Sequence, residues 1–466
     1  MTTPPGDQTT PAARPGLSVA SLSLGTALNP LNSSMIAVAL VELQHHFGLT
    51  VTTVTWVITV FYLASAAGQP LMGRLADRFG PRRLFLFGMI VVAVVCSLTP
   101  FAPNFTFVCV GRVLLAVGTA TAFPSAIAML RSITSGADGT GASTPRLLGR
   151  LQIANTAGAA IGPVVGGVLV STLGWPAIFW INVPLAAIAF IGVLLVAPAD
   201  APRERQPLRD ILVASDIPGI LAFIATLVAL LVFLLGLRPT PIWWLLPVAV
   251  AAAALFVWRE LACRTPFLNL RLLAANHSLM MVYLCFAVFN LIYYCAFFGL
   301  PQLLQEHGGY SAGLAGIVMF PLAAVTIVIT PLAARSIERR GVRPTLLVGG
   351  VALVVGAALL AFAGATTAPV VVLLVTAAMG VPYCVVSIAM NQALYASARP
   401  EDAGVAAGMF QTSRYIGAIL ATTLIGIAFG GGTTPASWLV IIVVATALSL
   451  AHLGLLIRWH PREHAV

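Results

Sequence analysis

Uncharged stretches of about 20 apolar residues, the length that spans a bilayer as an α-helix, recur along the chain, separated by short segments that hold most of the charge. Their spacing predicts fourteen membrane-spanning helices, at 18–41, 51–73, 84–100, 104–131, 148–172, 176–197, 215–236, 241–260, 278–303, 311–334, 344–363, 368–396, 404–429 and 436–458. The runs are continuous and rich in Leu, Val, Ala, Gly and Pro instead of alternating. Packed helices are therefore expected, not a strand-built barrel, and the expected fold class is an all-α polytopic membrane protein.

Composition sharpens this. Only 8% of the 466 residues are charged and 59% are hydrophobic, against about 25% charged in a soluble domain, which excludes a soluble globular protein. The net charge of +10 arises from 24 basic and 14 acidic residues, and every basic one is arginine. A nucleic-acid partner would require those arginines on one solvated face; they are spread over inter-helix segments, so none is expected. With the N-terminus inside, 21 of the 24 fall in cytoplasmic segments, Arg238 falls outside, and Arg112 and Arg414 lie within spans. The positive-inside rule then places both termini in the cytoplasm and the chain, as a multi-pass protein, in the inner (cytoplasmic) membrane. Residues 1–17 read as a disordered cytoplasmic tail without a cleavable signal, and 459–466 as a second tail. Cys96, Cys109, Cys263, Cys285, Cys295 and Cys384 have no CxxC spacing and read as free thiols, with neither disulfide nor metal. A Walker-type loop is impossible without lysine, and Gly-x-Ser-x-Gly and HExxH are missing. The sequence thus points away from an enzyme, from ATP-driven transport by this chain alone and from any cofactor.

An internal repeat organises the spans. Residues 70–82 align without gaps on 331–343, with Pro70, Leu71, Arg74, Arg78, Gly80 and Arg82 matched by Pro331, Leu332, Arg335, Arg339, Gly341 and Arg343, and Asp77 opposite Glu338. Each copy follows the second helix of its half. Residues 18–200 and 276–458 therefore read as two six-helix bundles, and 201–275 as a linker holding two inserted helices. Such a repeat suits a transporter with its site at the bundle interface.

The residues Gly73-Arg74-Leu75-Ala76-Asp77-Arg78-Phe79-Gly80-Pro81-Arg82-Arg83 resemble the loop between the second and third helices of the major facilitator superfamily, in particular its fourteen-helix branch of drug:proton antiporters. A tight loop with an acid among arginines suits a gate. Asp77 is expected against the positive end of the thirteenth helix near Ala403 and Gly404, with Gly73, Arg78, Gly80 and Arg82 shaping the loop. Residues 158–167 resemble the antiporter motif. There Gly158, Gly162 and Gly166 form one smooth helix face, and Pro163 adds a bend. Residues 175–184 resemble a signature of the fourteen-helix branch, in which Asn182 needs a helix partner. In the first helix, residues 31–40 resemble the branch's motif, but Asn32 stands where an Asp is usual, so the chain lacks the usual mid-span acid.

The remaining chemistry is sparse. Arg112 and Arg414 are coupling candidates, because a charge near mid-membrane costs about 2.5–3.5 kcal/mol and is rarely kept without a partner. Glu42, near the outer mouth, is a third, and His452 reads as a packing residue. Asn32, Ser33, Tyr62, Gln69, Gln152, Asn155, Asn290, Tyr293, Tyr294, Asn391, Gln392 and Gln411 are the expected substrate-binding residues, a pocket with aromatic walls and cationic fixed charge that favours neutral or anionic lipophilic compounds over quaternary cations. The expected function is a monomeric secondary exporter of lipophilic drugs or antibiotics, working by alternating access in exchange for protons. The alternative is a dedicated metabolite or lipid exporter, or a facilitator, without proton coupling.

Overall fold

The structure, a computed structural model, describes residues 15–135, 144–197, 199–200, 216–235, 243–263, 266, 270–398 and 403–459. Of the expected tails 1–17 and 459–466, residues 1–14 and 460–466, like the linker stretch 201–215, lie outside the described residues; Pro15, Gly16 and Leu17 instead form the first turn of a helix. Lipid supplies no hydrogen bonds to a bare backbone, so apolar chain in a bilayer closes its N–H and C=O groups within helices. The spans are α1 (Pro15–Phe47), α2 (Trp56–Phe79, preceded by the single turn Val51–Val54), α3 (Pro81–Leu98), α4 in two pieces (Phe105–Ala120 and Ala122–Ser135) and α5 (Thr144–Leu173). α6 also has two pieces (Ala177–Trp180 and Asn182–Val196), followed by α7 (Ile217–Leu235), α8 (Leu245–Ala262) and α9 (His277–Glu306). The chain ends with α10 (Ala312–Arg340), α11 (Val342–Ala365), α12 (Pro369–Ser397), α13 (Ala403–Phe429) and α14 (Pro435–Arg458).

Among the described residues thirteen segments are long and apolar enough to cross a membrane, and α5 adds a shorter apolar run, Ala157–Leu173. The class is thus all-α and multi-pass, with no strand among the described residues. Helix starts carry polar caps: Asn104, Asn276, Ser311 and Thr434 each accept the N–H three residues on. α1 runs further than the expected 18–41, because nothing breaks it until Gly48, whose φ of +63 turns the chain.

The repeat seen in sequence has a physical counterpart. Gly80 and Gly341 both take positive φ, +98 and +86, and make the sharp turns from α2 into α3 and from α10 into α11. Two residues on, Arg82 donates to the Leu194 carbonyl near the end of α6 at 2.7 Å, and Arg343 donates to the Ile457 carbonyl near the end of α14 at 3.0 Å. Each arginine thus satisfies a carbonyl that the last turn of a helix leaves without an internal partner. Asp200 adds a further contact: its carboxylate accepts the N–H groups of Arg82 and Arg83, both at 3.0 Å, capping α3. Gly80 lies against it, and an added Cβ would collide with that carboxylate. Asp200→Ala is expected to cost about 0.5–2 kcal/mol of stability, as lost N-caps do; thermal unfolding of the detergent-solubilised protein checks this, and an unchanged transition would remove the capping role.

α1 packs closely on α5 and α6, and α9 on α13 and α14. Contacts between the first six and last six helices run chiefly through α5 with α10 and α2 with α13. The α7–α8 hairpin lies against α2 and α13 through α7. It is tied at its foot by an Arg259–Asp216 ion pair of 2.8 Å, with Asp216 and Glu260 both buried. Large apolar side chains such as Trp243, Trp244, Trp258, Val370 and Leu374 face outward. In water such a surface would aggregate, whereas in a bilayer it is the lipid face.

Candidate functional site

A cleft, partly open to solvent, lies between the two sets of helices. Thr26, Asn29 and Pro30 of α1, Gln69 of α2, Thr119 and Phe123 of α4, and Asn155 and Ala159 of α5 form one wall. Tyr383 of α12 and Gln411 and Arg414 of α13 form the other. Thr26, Asn29, Pro30 and Ser33 fall at i, i+3, i+4 and i+7 on α1, so they share one helix face. Asn29 is held by donating to the Thr119 hydroxyl at 3.0 Å, which itself donates to the Leu115 carbonyl at 2.9 Å.

Arg414 is the charged side chain of this lining. Its guanidinium sits 5.0 Å from the Tyr415 ring centre and donates from Nη2 to the Tyr415 hydroxyl at 3.3 Å, while Nε has no hydrogen-bond partner. The same Tyr415 oxygen accepts from Gln69 Nε2 at 2.6 Å, a bond from α2 to α13 across the cleft. Aromatic side chains back this region. Tyr383 stacks on Tyr293 at 4.2 Å, and Tyr62 lies within 5.6 Å of Tyr415 and 5.5 Å of Tyr294.

Beyond Gln69, towards the face away from the chain ends, the two sets of helices close on each other. Thr59 and Thr422 share a hydrogen bond of 2.9 Å, Thr52 donates to the Gly426 carbonyl at 2.9 Å, and His45 pairs with Glu306 at 3.1 Å. α5 and α10 meet backbone to backbone. A Cβ on Gly167 would stand 2.6 Å from the Ala312 carbonyl oxygen, and one on Gly316 would strike the Pro163 carbonyl oxygen.

Of the residues expected in the pocket, Gln69, Asn155 and Gln411 line the cleft with Arg414. Tyr62, Tyr293 and Tyr294 are buried in the aromatic packing behind it. Ser33 is bonded to the Pro30 carbonyl, and Asn290 donates to the Phe286 carbonyl at 2.7 Å. Asn391 and Gln392 are exposed on the last turns of α12 and do not join the lining, and the Gln152 side chain lies outside the described residues. Asn32 instead forms a reciprocal amide pair with Asn182 of α6, at 2.6 and 2.9 Å, buried between helices. Asn182 thus has the partner that lipid requires of it.

The expected coupling and gating residues divide similarly. Arg112 is buried away from the cleft lining, donating to the carbonyls of Val57 at 3.3 Å and Asn32 at 3.4 Å and lying 4.2 Å over the Phe61 ring; its Nη2 has no partner. Glu42 accepts the Trp175 N–H at 3.1 Å and so fixes the turn from α5 into α6. The Asp77 side chain lies outside the described residues, while Gly73 has room for a Cβ and Arg78 lies 5.4 Å from the Phe79 ring centre. Gly158, Gly162 and Gly166 all press on α1, at Ala27, Ser34 and Met35. His452 is buried in α14 with neither ring nitrogen bonded. Thr26, Asn29, Thr119, Phe123, Tyr383 and Asp200 were not expected. The polar spacing on α1 was the available signal for the first two.

A helical membrane protein with a solvent-open cleft between two related sets of helices has the architecture of a membrane transporter. Residues 22–422 match the Major Facilitator Superfamily, and the chain belongs to that family. It is 36% identical to an uncharacterized MFS-type transporter, YwoD, of Bacillus subtilis (strain 168), over 92% of this chain and 94% of that one. It is 30% identical to the multidrug efflux pump LfrA of Mycolicibacterium smegmatis, over 89% of this chain and 81% of the relative. Among solved structures, a bacterial homologue of the human lysosomal transporter Spinster, inward-facing and unoccupied, superposes with a TM-score of 0.63. The identity there is 14%, over 98% of this chain and all (100%) of that one, a likeness of fold.

Proposed function

We propose that this protein is a secondary active exporter of lipophilic drugs or antibiotics, working by alternating access in exchange for protons. The observation that carries the reading is the cleft, walled by α1, α2, α4 and α5 on one side and α12 and α13 on the other, with closing contacts gathered from Gln69 to the far face. In this reading 18–200 and 276–458 rock as two bundles around the cleft, with α7 and α8 inserted between them. The arginine distribution supports both chain ends in the cytoplasm of an inner-membrane protein, so the cleft faces the side from which an exporter collects cargo. The likeness to LfrA, a multidrug efflux pump, supports the cargo class. Gating belongs to the α2–α3 turn with Gly73, Asp77, Arg78, Gly80 and Arg82, and to the α1-facing glycines Gly158, Gly162 and Gly166 with Pro163. Coupling is assigned to Arg112, Arg414 and Glu42.

One observation favours a second reading, a dedicated metabolite or lipid exporter, or a facilitator, without proton coupling. The cleft lining contains no carboxylate among the described residues, and Asn32, where the resembled branch carries an acid, is a neutral amide already paired with Asn182. Purified protein in liposomes separates the two. Dye accumulation driven by an imposed pH gradient and abolished by a protonophore is the expected result; downhill flux indifferent to the gradient would establish the second reading.

A further inference from the structure

We propose that Arg414 makes the cleft an anion-selecting site, so that the preferred cargo is a flat lipophilic aromatic compound carrying a carboxylate or another delocalised anion. The inference rests on the reading of the cleft as the transport site and adds the charge class of what enters it.

The lining holds one charged group, Arg414, among neutral amides, hydroxyls and aromatic rings. The two ion pairs among the described residues, His45–Glu306 and Arg259–Asp216, lie elsewhere, so no acid of the described chain is paired with this guanidinium. Its hydrogen bond is a long one to the neighbouring Tyr415 oxygen, an acceptor also used by Gln69, and Nε has no partner. A guanidinium with donors to spare, in a cleft whose described lining holds no counter-charge, is completed by an anion that brings charge and acceptors together. Gln411, Asn155 and Asn29 supply neutral polar contacts, and Tyr383, stacked on Tyr293, presents a flat wall. A quaternary ammonium meets the opposite conditions. It finds no carboxylate in the described lining, it is repelled by Arg414, and the Tyr415 ring on which it could rest already lies against the arginine's own guanidinium. Arg112, buried between α1, α2 and α4 away from the lining, has no part in this selection.

The test uses the full-length protein in lipid nanodiscs and three dyes built on one coumarin ring: a carboxylate, its neutral ester and a trimethylammonium derivative. Wild type is expected to bind the carboxylate about tenfold or more tighter than the trimethylammonium dye, tenfold being about 1.4 kcal/mol. Arg414→Gln is expected to bring that ratio close to one. Asn155→Asp, which leaves Arg414 in place and adds a negative charge to the facing wall, is expected to lower it too, and decides the matter if Arg414→Gln does not fold. A wild-type preference for the ammonium dye, or a ratio untouched by Asn155→Asp, would overturn the proposal. Exchanging chloride for gluconate should leave the ratio unchanged; a preference seen only without chloride assigns the guanidinium to a resident inorganic anion and overturns it as well. Failure of wild type to bind or move any of the three dyes removes the transport reading of the cleft itself, and the proposal with it.

Discussion

With valine at position 316 the protein is expected to lose most of its export activity while still reaching the membrane. Gly316 is where α10 touches α5: its Cα side lies against the Pro163 carbonyl and, at 3.2 Å from an added Cβ, the Gly167 Cα. Those neighbours are backbone, which cannot step aside as a flexible side chain does. Overpacking of this kind costs about 1–3 kcal/mol, so the balance between this state and one in which the α5–α10 seam has parted shifts by about 5- to 150-fold. A transporter held on one side of its cycle turns over slowly whatever its affinity. The checks are dye export from cells and the alkylation rate of a cysteine at Thr52 on the far face, which should rise in Gly316→Val. Normal export with an unchanged alkylation rate would show that the seam does not move.

The second large effect is expected at Asn182. Asn182→Ala removes both hydrogen bonds that join it to Asn32, leaving the Asn32 carbonyl oxygen of the side chain without its donor and its Nδ2 with the Leu28 carbonyl alone. A buried polar group stripped of its partner costs about 1–3 kcal/mol, and the loss falls beside the carbonyl that Arg112 uses. The double variant Asn32→Leu/Asn182→Leu, with both amides gone, should be less destabilised than the sum of the two single changes, because each single change strands the other partner. Thermal unfolding of the four proteins closes the cycle; additive effects would mean that the amides do not act as a pair.

The residues that sequence reading placed well are those whose role is set by local geometry or by repetition. Gly80 and Arg82 recur as Gly341 and Arg343 because the same turn and the same carbonyl contact are needed twice. The glycines at 158, 162 and 166 declare a close-packing face by their spacing alone, and that face meets α1. Spacing did not show that Pro163 and Gly167, on another side of the same helix, form the seam with α10. Helical periodicity groups polar residues on a face without saying what the face meets. Asn32 therefore read as pocket-lining, although it is turned towards α6, and Asn29, three residues earlier, holds the place in the cleft. Asp200 was invisible for a different reason: the N–H groups it caps belong to a helix more than a hundred residues away. Glu42 likewise read as a coupling candidate near the outer mouth, because the turn at Trp175 that supplies its donor is more than a hundred residues away in sequence.

The pieces combine into one cycle. In the proposed cycle, cargo enters between the two sets of helices, contacts that run from Gln69 to the far face give way, and new ones form on the opposite side. The most direct test is a reversible lock on the far face. Thr59 and Thr422, whose hydroxyl oxygens are 2.9 Å apart across the two sets of helices, are replaced by cysteines in a background with the six native cysteines removed. The account predicts that oxidation joins them, that dye still binds in the cleft, that export stops, and that reduction restores it. Export at the full rate from fully cross-linked protein would contradict alternating access through this cleft.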